Sequence, residues 1–354
     1  MRHRGCIKMR AGEYDKLLRE SQFSSVPMAG ISQGAGQGPP RKPGGATRLA
    51  VLCPVYNEEE AIPLFLDRIM KVFSQLEACY KPSLYFIDNG CTDASLDIIR
   101  RFHETNPKVF AIVMSRNFGY QCALETGLRT VTADLYVMID VDCEDPPEMI
   151  LEFVKYQEEG FEIVYGERVD RPEPIVLKGL RKLYYRIVRW LADDNFVLNM
   201  AEFSLITREV RNAIIQDATS APFLRASIGR IGFRRKNLPY RRHPRIAGET
   251  HYNFIAMTLF GIVGILSSST LPLRVQAYVL PFWSLTMVAV TVSAILSPNV
   301  WQVPALLLLG FGFLGFTVSF SALYIARIYK DGLLRPNAIV RYGLSILPPD
   351  AQEE

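Results

Sequence analysis

The chain contains no C-x-x-C pair, and its six cysteines (Cys6, Cys53, Cys79, Cys91, Cys122 and Cys143) and four histidines are scattered. That spacing argues against a structural zinc site. Several of the cysteines lie in apolar, strand-like runs and read as reduced packing residues in a reducing compartment. No G-x-x-x-x-G-K-[ST] occurs, and no G-x-G-x-x-G follows the first apolar run, so P-loop and ordinary dinucleotide-binding readings lack support. G-x-S-x-G and H-E-x-x-H are missing too. The most extended absence is of charge: from Val275 to Ala326 there is no Asp, Glu, Lys or Arg.

As a helix that stretch measures roughly 78 Å, against a hydrocarbon core of about 30 Å. One span is too short to use it, whereas two spans with a tight turn at Ser297–Pro304 fit, and helices are predicted over 275–296 and 304–326. A third uncharged stretch, 252–270, holds two glycines and a Ser-Ser-Ser-Thr run. Arg241, Arg242, Arg245 and Arg274 flank it, and Arg327, Lys330, Arg335 and Arg341 follow the last span. Two spans put both basic clusters on the cytoplasmic face, as the positive-inside tendency requires. Residues 252–273 therefore read as a helix lying in the interface, and 328–354 as a cytoplasmic tail. No apolar run marks the N-terminus as a signal peptide; residues 1–47 read as a flexible arm rich in Ser, Gly, Gln and Pro.

The formal net charge of +4 hides an uneven distribution. Residues 51–170 hold 10 basic and 22 acidic groups, and residues 171–251 hold 16 and 7. A strongly acidic third argues against a nucleic-acid partner, and the split implies different partners for the two stretches.

Within 48–251, apolar runs at 49–53, 84–87, 109–114 and 135–139 alternate with helical stretches at 59–78, 93–105 and 120–132. This predicts an α/β domain with a largely parallel sheet covered on both faces. In such sheets ligands bind beyond the carboxyl ends of the strands. Those ends carry Pro54-Val-Tyr-Asn-Glu58, Asp88-Asn-Gly-Cys-Thr-Asp93, Ser115-Arg-Asn-Phe-Gly119 and Asp140-Val-Asp-Cys-Glu-Asp-Pro-Pro-Glu148. Asp140 and Asp142, alternate residues just past a strand, can converge on a hard cation such as Mg²⁺ or Mn²⁺. The same acids also suit a helix start around Pro146-Pro147. Residues 175–191 form an amphipathic pattern with Lys178, Arg181, Lys182, Arg186 and Arg189 on one face. It suits either anionic lipid or packing on the sheet.

These four strand-end motifs, in this order, resemble the family-2 glycosyltransferases. The likeness is nearest to their polyprenyl-phosphate branch, which includes dolichyl-phosphate mannose synthases and bactoprenol glucosyltransferases. Arg245-Ile-Ala-Gly-Glu-Thr-His-Tyr252 resembles the R-x-x-G-x-[ST]-K-Y element of that branch, and the likeness runs over roughly 49–342. It implies a GT-A (Rossmann-like) fold and inverting transfer from a UDP- or GDP-linked sugar, with UDP-glucose the first expectation. The acceptor would be polyprenyl (undecaprenyl) phosphate at the cytoplasmic face of a bacterial inner membrane, and the enzyme a homo-oligomer, a tetramer by resemblance. Carried over by motif, Pro54, Tyr56, Glu58, Asp88, Arg116 and Asp140 would hold the nucleotide. Asp140, Asp142 and Glu144 would hold Mg²⁺ or Mn²⁺. Arg168, Arg181, Arg245, Thr250 and His251 would hold the acceptor phosphate, with Asp140, Asp142 and Arg245 central to catalysis. Arg116 has an alternative role as a structural ion-pair partner.

Three positions depart from the pattern: Asn89 and Cys91 where D-D-G-S is usual, Glu144 where Gln is frequent, and His251 where Lys is usual. Two rivals follow. A processive polysaccharide synthase would carry Q-x-x-R-W, but Arg186-Ile-Val-Arg-Trp190 lacks the Gln. A non-catalytic membrane scaffold is motivated by Asn89, Cys91 and His251.

Overall fold

The computed structural model describes residues 46–168, 200–216, 222–245, 270–297, 299–333 and 335–348. Most of the predicted arm, the amphipathic 175–191 stretch with Arg181, Thr250, His251 and nearly all of 252–270 lie outside the described residues.

The first half alternates as the apolar runs require: β1 (Thr47–Val55), α1 (Ala61–Leu76), β2 (Tyr80–Asp88), α2 (Ser95–Thr105), β3 (Val109–Val113), α3 (Tyr120–Thr130) and β4 (Leu135–Met138). A 3₁₀ turn at Pro147–Met149 leads into α4 (Ile150–Glu158), followed by β5 (Ile163–Arg168) and β6 (Met200–Thr207). Then come α5 (Arg208–Gln216), α6 (Leu224–Arg230) and β7 (Arg235–Tyr240). The seven strands form one sheet in the order β3-β2-β1-β4-β6-β5-β7. Only β6 runs against its neighbours, pairing antiparallel with β4 and β5. The domain is thus a GT-A-type α/β sandwich with a mostly parallel sheet.

Both faces of the sheet are covered, and this is why its strands are continuous apolar runs. Val51, Cys53 and Phe86 face one core with Phe65 and Phe73 of α1 and Phe153 of α4. Ala50, Leu52 and Ile87 face the other with Leu124 and Leu128 of α3 and Ile228 of α6. Helix α1 buries Ile62, Phe65, Leu66, Ile69, Val72, Phe73 and Leu76, the three-and-four spacing of one helical face. Cys53, Cys91, Cys122 and Cys143 are free thiols. Cys79 is disulfide-bonded, so the reduced reading does not extend to it.

The chain leaves β1 toward β2 and β3, then returns to β4 on the other side of β1. This reversal opens a crevice beyond the carboxyl ends of β1 and β4, the general ligand position in such sheets.

Two helices follow, α7 (Leu271–Leu296) and α8 (Gln302–Gly332). Both are long and apolar enough to cross a membrane, and neither is buried in the protein. They pack as a hairpin in which Trp283 stacks on Phe313 at 4.6 Å and donates to the Leu309 carbonyl at 3.1 Å. The predicted tail does more than trail away. Residues 335–348 return to the α/β domain and bridge β3 antiparallel at Met114↔Val340 and Ala111↔Ile346, covering an otherwise open sheet edge.

Gly166 in β5 lies beneath the Tyr240 ring, where an added Cβ would come within 2.6 Å of a ring carbon. Tyr240 is fully buried and its hydroxyl is committed to Asp145, so the ring has nowhere to move. Gly166→Ala is expected to destabilise the domain by about 1–3 kcal/mol, the usual cost of overpacking, read as a lowered thermal midpoint.

Candidate active site

Four loops meet at the carboxyl end of the parallel strands, and short polar contacts lock them together. After β1, Asn57 takes a left-handed conformation (φ 55), and its side-chain oxygen accepts from the Thr92 amide at 2.8 Å. The Glu58 amide donates to Ser95 Oγ at 2.9 Å. At the end of β2, the buried Asp88 accepts the Cys91 amide, three residues on, at 2.8 Å. Asn89 uses both ends of its amide, donating to Asn117 Oδ1 at 3.1 Å and accepting from the Phe118 amide at 2.9 Å. Gly90 (φ 79) presses on the next loop so closely that a Cβ would lie 2.7 Å from backbone atoms of Arg116 and Asn117. After β3, the exposed Arg116 stacks over Phe118, its guanidinium 3.9 Å from the ring centroid. Its guanidinium donates to the Asn117 carbonyl at 3.0 Å, and it has no carboxylate partner among the described residues.

The fourth loop carries the charge. Asp140 follows β4, and its Oδ1 accepts a 2.6 Å hydrogen bond from Tyr120 Oη. Asp142 accepts the Glu144 amide at 3.0 Å, and the turn is completed by Cys143 at φ 54. Asp142 and Asp145 are buried. Burial, with the negative charges of Asp145 and Asp142, pushes Asp140 up to about 7. The Tyr120 phenol is pushed well above its ordinary value by burial and by Asp140 and Glu202, so it stays a neutral donor. Arg68 of α1 grips Glu148 through two bonds of 3.0 and 2.6 Å and so fixes the far end of this loop.

Arginines lie against these carboxylates. Past β7, Arg242 pairs with Glu144, the His243 amide donates to the Glu144 carbonyl at 2.9 Å, and Arg245 pairs with Glu58. Residues 241–245 thus lie against the loops that follow β1 and β4.

Most sequence-predicted residues come together here: Pro54, Tyr56, Glu58, Asp88, Arg116, Asp140, Asp142, Glu144 and Arg245 all occupy the carboxyl end of the sheet. Arg168 and Glu144 already have charged partners within the protein. Arg168 is largely buried, bonded to Asp145 Oδ2 at 3.0 Å and to Tyr240 Oη at 3.1 Å. These bonds tie the end of β5 to the carboxylate loop. Glu144 is engaged by Arg242, and no group of three or more His, Cys, Asp or Glu side chains among the described residues is arranged to hold a metal. The three-ligand set of Asp140, Asp142 and Glu144 is therefore not assembled. Arg181, Thr250 and His251 lie outside the described residues.

Sequence reasoning missed Tyr120, although it ends one of the motifs, because nothing local links it to Asp140 twenty positions on. It also missed Glu202. That buried acid on β6 accepts from Gln121 at 2.9 Å and pairs with Arg225 at 2.8 Å. Its only sequence signal is an acid inside an apolar strand.

Crowded carboxylates cost stability. With its pKa raised, folded Asp140 holds a proton that the unfolded chain has lost between about pH 4 and about 7. Stability therefore falls as pH rises through that window, and the cost is complete above it. Asp140→Asn keeps an acceptor for Tyr120 and removes the charge. It is expected to raise the thermal midpoint at pH 8 by about 2–5 °C, with the gain vanishing near pH 4, as followed by scanning fluorimetry in detergent.

Comparison with known proteins places this site in a family. The chain is 30% identical over 306 residues to the uncharacterized glycosyltransferase YkcC of Bacillus subtilis (strain 168), covering 83% of this chain and 94% of that one. It is 31% identical over 233 residues to a prophage bactoprenol glucosyl transferase homolog of Escherichia coli (strain K12), covering 66% and 76%. Among solved structures it is similar to glucosyl-3-phosphoglycerate synthase from Mycobacterium tuberculosis in complex with UDP. The identity there is 17% and the TM-score 0.43, over 62% of this chain and 81% of that one, too distant a likeness to carry an argument. Residues 50–232 match Glycosyl transferase family 2, and the chain belongs to that family, whose members transfer a sugar from a nucleotide-sugar donor.

Proposed function

We propose that this membrane-associated family-2 enzyme transfers a hexose from a nucleoside-diphosphate sugar, UDP-glucose in the first instance, to the phosphate of a polyprenyl phosphate. The observation that carries the reading is the placement of residues 241–245, with Arg242 and Arg245, against the carboxylate-rich crevice loops in a chain that continues into a membrane-length hairpin. A donor diphosphate needs the carboxylate side neutralised, and an anionic lipid acceptor needs the arginine side. The relatives named as bactoprenol glucosyl transferases point the same way.

In this reading Tyr56, Glu58, Asp88 and Arg116 hold the nucleoside and its phosphates. The uncompensated pair Asp140 and Asp142 suits Mg²⁺ or Mn²⁺, which are commonly held by one or two carboxylates plus substrate phosphates. Such a cation would supply Lewis-acid stabilisation of the leaving diphosphate. Tyr120 fixes the orientation of Asp140. Arg245, released from Glu58, receives the acceptor phosphate, which is already ionised at neutral pH and needs no general base. Its oxygen attacks the anomeric carbon, the bond to the diphosphate oxygen breaks, and the configuration inverts. Positioning accounts for most of the rate.

Topology supports a membrane-facing site. Residues before α7 and residues after α8 belong to one α/β domain, because 335–348 pair with β3. In this reading α7 and α8, each long and apolar enough to cross a membrane, make a hairpin that returns the chain to the side it left. The departures Asn89 and Cys91 weaken the scaffold alternative. The Asn89 amide donates to Asn117, which a carboxylate cannot do, and the Cys91 thiol caps the Asn57 amide at 3.3 Å.

Membranes carrying the full chain, incubated with a panel of radiolabelled nucleotide sugars and polyprenyl phosphate, are expected to label the lipid fraction from one donor. EDTA, Asp140→Ala or Asp142→Ala is expected to abolish labelling, and near-parental turnover in either variant would remove the metal assignment. Arg245→Ala is expected to raise the acceptor KM about tenfold; an unchanged acceptor dependence would remove Arg245 from the acceptor site.

A further inference from the structure

The nucleotide loop Ser115–Gly119 is held from behind by the chain's own C-terminal segment. At one end of the loop the Ser115 amide donates to the Ile339 carbonyl at 2.8 Å. Just before it, the Arg341 amide donates to the Val113 carbonyl at 2.7 Å, and the Val113 amide donates to Ser345 Oγ at 2.9 Å. Further along, Ile346 and Ala111 exchange two backbone bonds of 2.7 and 3.0 Å. At the loop's other end stands α3, and there Asn337 Nδ2 donates to Glu125 Oε2 at 2.7 Å. Glu125 is nearly buried and is also held by Arg129. Ile346 packs against one core, and Ala338, Val340 and Leu347 against the other, so the segment straddles the sheet edge.

We infer that residues 337–346 are a positioning strap for the donor site, with Asn337 as its clamp on α3. The loop is gripped at both ends. Its interior rests on Gly90 and Asn89 of the neighbouring nucleotide loop, and α3 begins with Tyr120, the partner of Asp140. A loosened strap therefore releases Arg116 and Asn117 on one side and the orienting tyrosine on the other. Asn337 stands five residues beyond the end of α8, a reach of at most about 18 Å. The donor loop is consequently tied to the membrane hairpin by a short tether.

This inference rests on the donor-site reading above, and the experiment separates the two. Full-length protein in detergent is titrated with UDP and, in parallel, GDP, each with Mn²⁺, by calorimetry. The parent is compared with Asn337→Ala, Ser345→Ala and Asp88→Ala. Asn337→Ala is expected to weaken nucleotide binding about fivefold and to raise the donor KM in step, with acceptor KM unchanged. Ser345→Ala is expected to do the same more weakly. A purely structural role would move donor and acceptor dependence together, and that result overturns the strap. If Asp88→Ala loses nucleotide and both strap variants bind as the parent does, the strap is overturned and the donor site stands. If neither nucleotide binds the parent, or Asp88→Ala binds normally, the donor-site reading falls and the strap with it.

Discussion

Unbalanced negative charge at the carboxyl ends of β1 and β4 is the constraint around which the rest of the structure is arranged. Asp140, Asp142, Glu144 and Asp145 crowd one short loop, and burial makes their repulsion expensive. The surrounding elements read as responses to it. Arg168 crosses from β5 to hold Asp145, Tyr240 from β7 adds a second donor, and Arg242 reaches Glu144. Among the described residues, what remains without an arginine pressed directly on it is Asp140, which accepts only from Tyr120, with Asp142 beside it. A site that destabilises its own fold in this way is a common trade between stability and chemistry.

The first half of this design was legible in the residues. Continuous apolar runs mean strands covered on both faces, and the residues that interrupt them sit where such sheets place ligands. That reasoning located all four loops and both long apolar helices, because it depends only on local period and burial. The second half follows long-range rules. β6 is antiparallel and β5 joins the sheet beyond it, so Glu202 arrives near Asp140 from a segment with no motif. Arg168 sits at the end of a strand in a basic stretch and looks available. Only the fold reveals Asp145 and Tyr240 around it.

The departures from the family pattern show how side chains compensate one another. Asn89 would be a poor copy of an aspartate taken alone. Beside Asn117 its amide donor becomes useful, and the two loops are sewn together by a pair of bonds, of which a carboxylate could keep the one from the Phe118 amide but not the one to Asn117. Cys91 likewise does the work of a hydroxyl, accepting from Asn57 while its thiol faces the Val55 carbonyl at 3.6 Å. A motif read letter by letter registers two losses, whereas the structure contains two matched substitutions.

Closure of the β3 edge also has a consequence for biosynthesis. Val113 and Ser345 bond across 232 positions of the chain, and the two long hydrophobic helices lie between them. During translation β3 must wait, its outer amides unmet, until the hairpin and residues 339–346 have been made. At about 5–20 residues per second that interval is of the order of ten seconds or more. The loop after β3 therefore gains its backing only after the long apolar hairpin has been synthesised.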